Sequence, residues 1–175
     1  MFTTAFWIDG PWRGRLGVSP RPRGGDWLAD ELAAWRSAGI EVVVSLLESE
    51  EAAEKGLEQE SQLASDSGIE FHSLPIPDRF VPGSTLDFQL LLERLHSKLN
   101  DGKTIVVHCR QGIGRSGLVA ICLLLRAGEN LNEAVRRASS ARSVSVPETE
   151  EQLAWLRANA EKIARGPQSK GDVLK

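Results

Sequence analysis

The sequence predicts an α/β fold: a central, mostly parallel sheet flanked by helices. Two apolar runs, IEVVVSLLE (40–48) and KTIVVHC (103–109), are continuous rather than alternating, the pattern of strands covered on both faces. Amphipathic stretches of helical period separate the runs, and strands alternating with helices imply parallel strands joined by crossovers. The chain has 175 residues, 41% of them hydrophobic, enough for a core and short enough for one domain. A single domain over residues 1–166, with a C-terminal tail at 167–175, is the expected organisation.

In order along the chain, residues 1–25 are the least regular, with short strands expected around AFWID and RLGVS. Residues 26–38 place Trp27, Leu28, Leu32 and Trp35 on one side of a helix, with Asp26 as N-cap and Gly39 as stop. The strand at 40–48 follows. Residues 50–67 are rich in Glu and Ala and read as helix, broken near Gly56. IEFHSLPI (69–76) alternates like a second strand and runs into prolines. Ser84 is expected to cap a helix whose stripe is Phe88, Leu91, Leu92, Leu95 and Leu99, closed by Gly102. The third strand, KTIVVHC, leads to SGLVAICLLLRAG, apolar nearly all round and therefore a central, buried helix. LNEAVRRASSAR is amphipathic, and Pro147 opens a last helix with Leu153, Leu156, Ala160 and Ile163 on one face.

Composition excludes several classes of function. A net charge of −3 gives no general reason to expect nucleic acid or an anionic membrane as partner. No apolar run reaches membrane-spanning length, and the N-terminus lacks the pattern of a secretory signal. The two cysteines form no disulfide framework, and with His72, His96 and His108 scattered, no metal site and no cofactor are expected. A cytoplasmic, monomeric protein with free thiols is the expectation.

The chemistry concentrates in HCRQGIGRSG, residues 108–117. Cys109 ends a parallel strand, where α/β proteins bind ligands. Gly112, Gly114 and Gly117 let the backbone turn its N–H groups inward as an anion nest, and the following helix N-terminus adds partial positive charge. Arg115 supplies a planar fork matched to two phosphate oxygens, and the same field favours a thiolate. Five residues separate Cys109 from Arg115, so a loop curled round one tetrahedral anion brings sulfur and guanidinium to opposite sides of it. On residues alone, this is an anion-binding thiol.

The motif H-C-x5-R-S-G after an apolar strand resembles the signature loop of the cysteine-dependent protein tyrosine phosphatases. The short chain is similar to their compact dual-specificity branch, EVVVSLLESEE to that branch's strand and acidic helix, and FHSLPIPDRFVP to its general-acid loop. The resemblance implies a phosphotyrosine-phosphatase-like fold and a phosphocysteine mechanism without metal. It implies Cys109 as nucleophile, Arg115 as phosphate clamp, and Ser116 as hydrogen-bond donor to the sulfur. Asp78 becomes the general acid and base. The backbone of Arg110, Gln111, Gly112, Ile113, Gly114, Arg115 and Ser116 becomes the phosphate cradle. His108 is read as structural, bonded near the loop to hold its shape. The implied substrate is a phosphorylated protein or peptide, or a small phosphorylated molecule.

Other readings stay open. A small-molecule or phosphoinositide phosphatase, a non-catalytic phosphate-binding module, and a thiol-dependent arsenate reductase or sulfurtransferase share parts of the pattern. Cys122, without arginine or glycine neighbours, reads as core. Gln152 stands either where the tyrosine-specific branch keeps a water-orienting glutamine or, more commonly, as a polar residue of the last helix. Arg13, Arg15, Arg21 and Arg23 form an exposed run in preference to a second anion site. The chain has no tyrosine, so the aromatic loop that deepens tyrosine-specific pockets is missing, with Phe80 and Trp12 as candidate substitutes.

Overall fold

The computed structural model describes residues 4–83 and 85–167. Its centre is a five-stranded sheet in the order β1-β2-β5-β3-β4. The strands are β1 (Phe6–Ile8), β2 (Arg15–Pro20), β3 (Val42–Ser45), β4 (Glu70–Ser73) and β5 (Thr104–Cys109). Only β1 is antiparallel to its neighbour; β2, β5, β3 and β4 run parallel. Both short N-terminal strands lie where the sequence suggests them.

Side-chain alternation along the central strands divides the core in two. Val42, Val44, Ile105 and Val107 face α4 (Thr85–Asn100), α5 (Arg115–Arg126), α6 (Leu131–Arg142) and α7 (Glu150–Arg165). Val43 and Val106 face the other way, onto Leu28, Leu32 and Trp35 of α1 (Leu28–Ser37) and Ala64 of α3 (Glu60–Asp66). Residues 118–125 of α5 are all buried, as a helix apolar on every side must be. Among the described residues no helix is long and apolar enough to cross a membrane.

Local details depart from the sequence reading in three places. Asp26 makes no cap bond; it lies in a 3₁₀ turn, Gly25–Trp27, that precedes α1. The last helix starts at Glu150, after Pro147, because Thr149 and Gln152 form a reciprocal capping box that fixes its first turn. β4 is an edge strand with exposed ends and half-buried middle residues, so its apparent alternation marks no clean inner face. Ser84 lies outside the described residues. The break in the Glu-rich stretch is as expected: α2 (Ser49–Glu54) ends before Gly56, which holds φ +67° and accepts a hydrogen bond from Gly25 N at 2.8 Å.

Candidate active site

Cys109 continues the face of Ile105 and Val107, so its thiol emerges at the C-terminal edge of the sheet on the α5 side. The loop then curls back into α5. Gly112 takes φ +71°, and a Cβ there would lie 2.5 Å from the Ser19 carbonyl carbon and 2.6 Å from Pro20 N, so only glycine fits against the end of β2. From outside, Arg142 on α6 donates to the Gly112 carbonyl at 2.7 Å while stacking on Phe6. The loop's shape is therefore set by β2 beneath it and α6 beside it.

Within this frame the expected residues converge. Cys109 Sγ and Ser116 Oγ are 3.3 Å apart and buried. Arg115, only 1% exposed, lies 3.0 Å from Asp78 Oδ1, and Arg110 approaches Asp78 Oδ2 at 3.7 Å. Cys109, Arg110, Gln111, Gly114, Arg115 and Asp78 line one hollow of about 110 Å³. A single water needs about 10–15 Å³ of such space, so the hollow has room for a phosphate group. Ile113 packs against the core, leaving its backbone to the loop.

Two further acids belong to this site. Glu51, in the first turn of α2, accepts both Arg115 Nη groups, at 2.7 and 2.9 Å. The Arg115 bond, opposed by burial, holds the Glu51 carboxyl below its usual value. Burial works against the Arg115 charge, but Glu51, Cys109 and Asp78 outweigh it and move its pKa further up. Glu148, just before α7, lines the hollow and meets Arg79 at 3.3 Å. Neither acid stood out in the sequence, because Glu51 is one of several glutamates around α2 and Glu148 opens an acidic run. The available signal for Glu51 was its place just past the C-terminal end of β3, on the ligand side of the sheet.

The other candidates do not line the hollow. Gln152 does not reach the hollow as a side chain lining it: fully buried, it donates to the Phe80 carbonyl at 3.1 Å and accepts from Thr149 N at 3.2 Å. The His108 ring points to the opposite face of the sheet from Cys109, against Trp35, with Nε2 2.7 Å from buried Glu60 on α3. It holds sheet to helix, not the loop. Phe80 is 53% exposed and Trp12 packs on the core; neither lines the hollow. The arginine run is divided along β2, with Arg15 stacked on Trp7 at its start and Arg23 paired with Glu31 beyond its end. Cys122 is core, and its burial pushes its thiol well up. Among the described residues no group of three or more His, Cys, Asp or Glu could hold a metal.

The geometry thus presents a thiol at the bottom of an anion-sized cradle, a buried guanidinium on its wall and a carboxylate across its mouth. The chain is similar to several known proteins. The chain is 33% identical over 101 residues to cyclin-dependent kinase inhibitor 3 of Rattus norvegicus, covering 55% of this chain and 46% of that protein. It therefore spans about half the length of the curated relatives it matches. Among solved structures, kinase associated phosphatase with its catalytic-site cysteine replaced by serine has TM-score 0.85 at 22% identity, over 94% of this chain and 97% of that one. Tk-PTP in its active form has TM-score 0.74 at 29% identity, over 93% and 99%. Residues 17–129, from β2 past the end of α5, match the model of a family described as Tc-R-P, polymorphic toxin system, DSP-PTPase phosphatase. A match that takes in the signature loop and well over half of the sequence decides the family: the chain belongs to the DSP-PTPase phosphatases of the Tc-R-P type.

Proposed function

We propose that the chain hydrolyses phosphomonoesters on proteins or peptides, phosphotyrosine fastest and phosphothreonine or phosphoserine more slowly, through a phosphocysteine intermediate. The observation that carries this reading is the placement of Cys109 Sγ beside Ser116 Oγ, in a hollow walled by Arg115 and Asp78. In the first step the Cys109 thiolate attacks phosphorus while Arg115 and the loop amides hold the three non-bridging oxygens. The bond from phosphorus to the leaving oxygen breaks, and Asp78 protonates that oxygen. In the second step Asp78 takes a proton from water, whose oxygen attacks phosphorus. The thiolate leaves with the electron pair of the S–P bond, stabilised by the Ser116 hydroxyl.

A hollow lined by the loop, Asp78, Arg79 and Glu148, with no aromatic side chain among the described residues deepening it, supports breadth among side chains. A phenol, with pKa near 10, is also a better leaving group than an alcohol. The arsenate-reductase reading needs a resolving thiol, and buried Cys122 is poorly suited to be one. The test is a panel of phosphotyrosine, phosphothreonine and phosphoserine peptides beside inositol phosphates and nucleotides, assayed in EDTA with and without vanadate. Hydrolysis led by phosphotyrosine, insensitive to EDTA and blocked by vanadate is expected. A tenfold or greater kcat/KM advantage for an inositol phosphate or nucleotide would replace the protein substrate with a small molecule.

A further inference from the structure

The mouth of the hollow carries a charge pattern that transfer of one phosphoryl group does not use. Arg79 and Glu148 both line it and face each other, Nη1 to Oε1, at 3.3 Å. Glu148 is exposed to solvent, yet its carboxylate leans inward over the loop. A Cβ on Gly114 would come 2.9 Å from its Oε2, so the carboxylate stands over the backbone of the signature loop. A carboxylate so placed repels a phosphate dianion, and its presence at an anion site calls for a reason.

Each guanidinium around the hollow already faces a carboxylate. Arg79 has Glu148, Arg110 has Asp78 at 3.7 Å, and Arg115 has Glu51 at 2.7 Å. A phosphate in the loop must displace Asp78 from Arg110 and Arg115, and the loop amides and the α5 N-terminus add attraction for one phosphate at the floor. A second phosphate, held by the same substrate a few ångströms outside the cradle, would arrive at Arg79 and find its charge balanced by Glu148. Specificity of this kind comes from a repulsive group set against the wrong ligand as much as from contacts to the right one.

We propose that Glu148 is a specificity-determining residue that confines the site to singly phosphorylated substrates, rejecting peptides with a neighbouring second phosphate and multiply phosphorylated inositol rings. The proposal rests on the reading above only in that a phosphoryl group occupies the loop.

The test uses paired charge changes in a Cys109→Ser background, where binding is measured without turnover. Ligands are a phosphotyrosine peptide, the same peptide with a second phosphorylated residue two positions away, and a matched inositol monophosphate and bisphosphate. Glu148→Gln and Arg79→Gln break the same ion pair but shift the rim charge in opposite directions. The Kd ratio of doubly to singly phosphorylated ligand should fall by about fivefold to tenfold in Glu148→Gln and rise in Arg79→Gln. An unchanged ratio overturns the proposal. So does a shift in the same direction in both variants, which would mean that the pair only fastens the loop carrying Asp78. If none of the four phosphorylated ligands binds, the phosphate-cradle reading and this inference fall together. Opposite shifts in a protein whose native form hydrolyses none of the four would sustain this inference while overturning the catalytic reading.

Discussion

Asp78 lies 3.0 Å from Arg115 and 3.7 Å from Arg110, so its carboxylate and an incoming phosphate compete for the same two cations. Asp78→Ala therefore has two expected effects of opposite sense. Without a general acid, kcat should fall by roughly 10²–10⁴ for an alkyl phosphate, and by less for p-nitrophenyl phosphate, whose leaving group departs as an anion. Vanadate and tungstate should bind more tightly, because the competing carboxylate is gone. Steady-state kinetics on the two esters and titration calorimetry with tungstate check both; equal losses on the two esters would show that Asp78 is not the acid. At this scale the sequence was informative wherever a motif fixed the spacing. Cys109, Arg115 and Ser116 belong to one short loop, and Asp78 is marked by its prolines. Glu51 and Glu148 come from distant parts of the chain and meet the loop only through the fold; position past the end of β3 was a signal for Glu51, while nothing local separated Glu148 from the other glutamates of its run.

Among the elements, α7 ties the acid loop to the rest of the site. Its Gln152 bonds the Phe80 carbonyl and the Thr149 amide, and Thr149 Oγ1 reaches the Arg79 carbonyl at 3.5 Å. Gln152→Ala would remove both bonds of this buried side chain, each worth about 0.5–1.5 kcal/mol, and should destabilise the protein by about 1–3 kcal/mol in urea denaturation. Because Asp78 precedes Arg79, loosening that tie should also lower kcat for alkyl esters more than for aryl esters. A stability loss with the two esters equally affected would make Gln152 a cap and nothing more. The T-E-E-Q box was readable in the sequence, yet Pro147 drew the helix start three residues too early because proline is also a common first helical residue. The central strands and α5 were legible because burial on all sides leaves a continuous apolar record. β4 was less so, since an edge strand has only part of each face covered.

For the molecule as a whole, acid stability depends in part on the link that Glu51 and Arg115 make between α2 and α5. The Glu51 carboxyl is depressed, chiefly by the Arg115 hydrogen bond. A group depressed on folding contributes stability above its unfolded pKa, here the ordinary 4.5, and that contribution is lost as pH falls through the lower folded value. Wild type should therefore melt higher than Glu51→Gln at neutral pH, and the gap should close on acidification below about pH 4. A gap independent of pH would mean that the charge of Glu51 contributes nothing. The mostly parallel sheet covered by helices on both faces could be anticipated from alternating strands and helices, whereas the strand order and the pairing of His108 with Glu60 across the rear face could not. The central claim is that this architecture makes Cys109 the covalent carrier of the phosphoryl group. It is tested most directly by mixing Asp78→Ala protein with p-nitrophenyl phosphate, quenching in acid within the first turnover and mapping the adduct by peptide mass spectrometry. The account predicts a phosphoryl group on the peptide containing Cys109, decaying slowly without the Asp78 base and absent from the Asp78→Ala, Cys109→Ser double variant. Release of p-nitrophenol with no adduct on Cys109, or with the adduct on another residue, would contradict it.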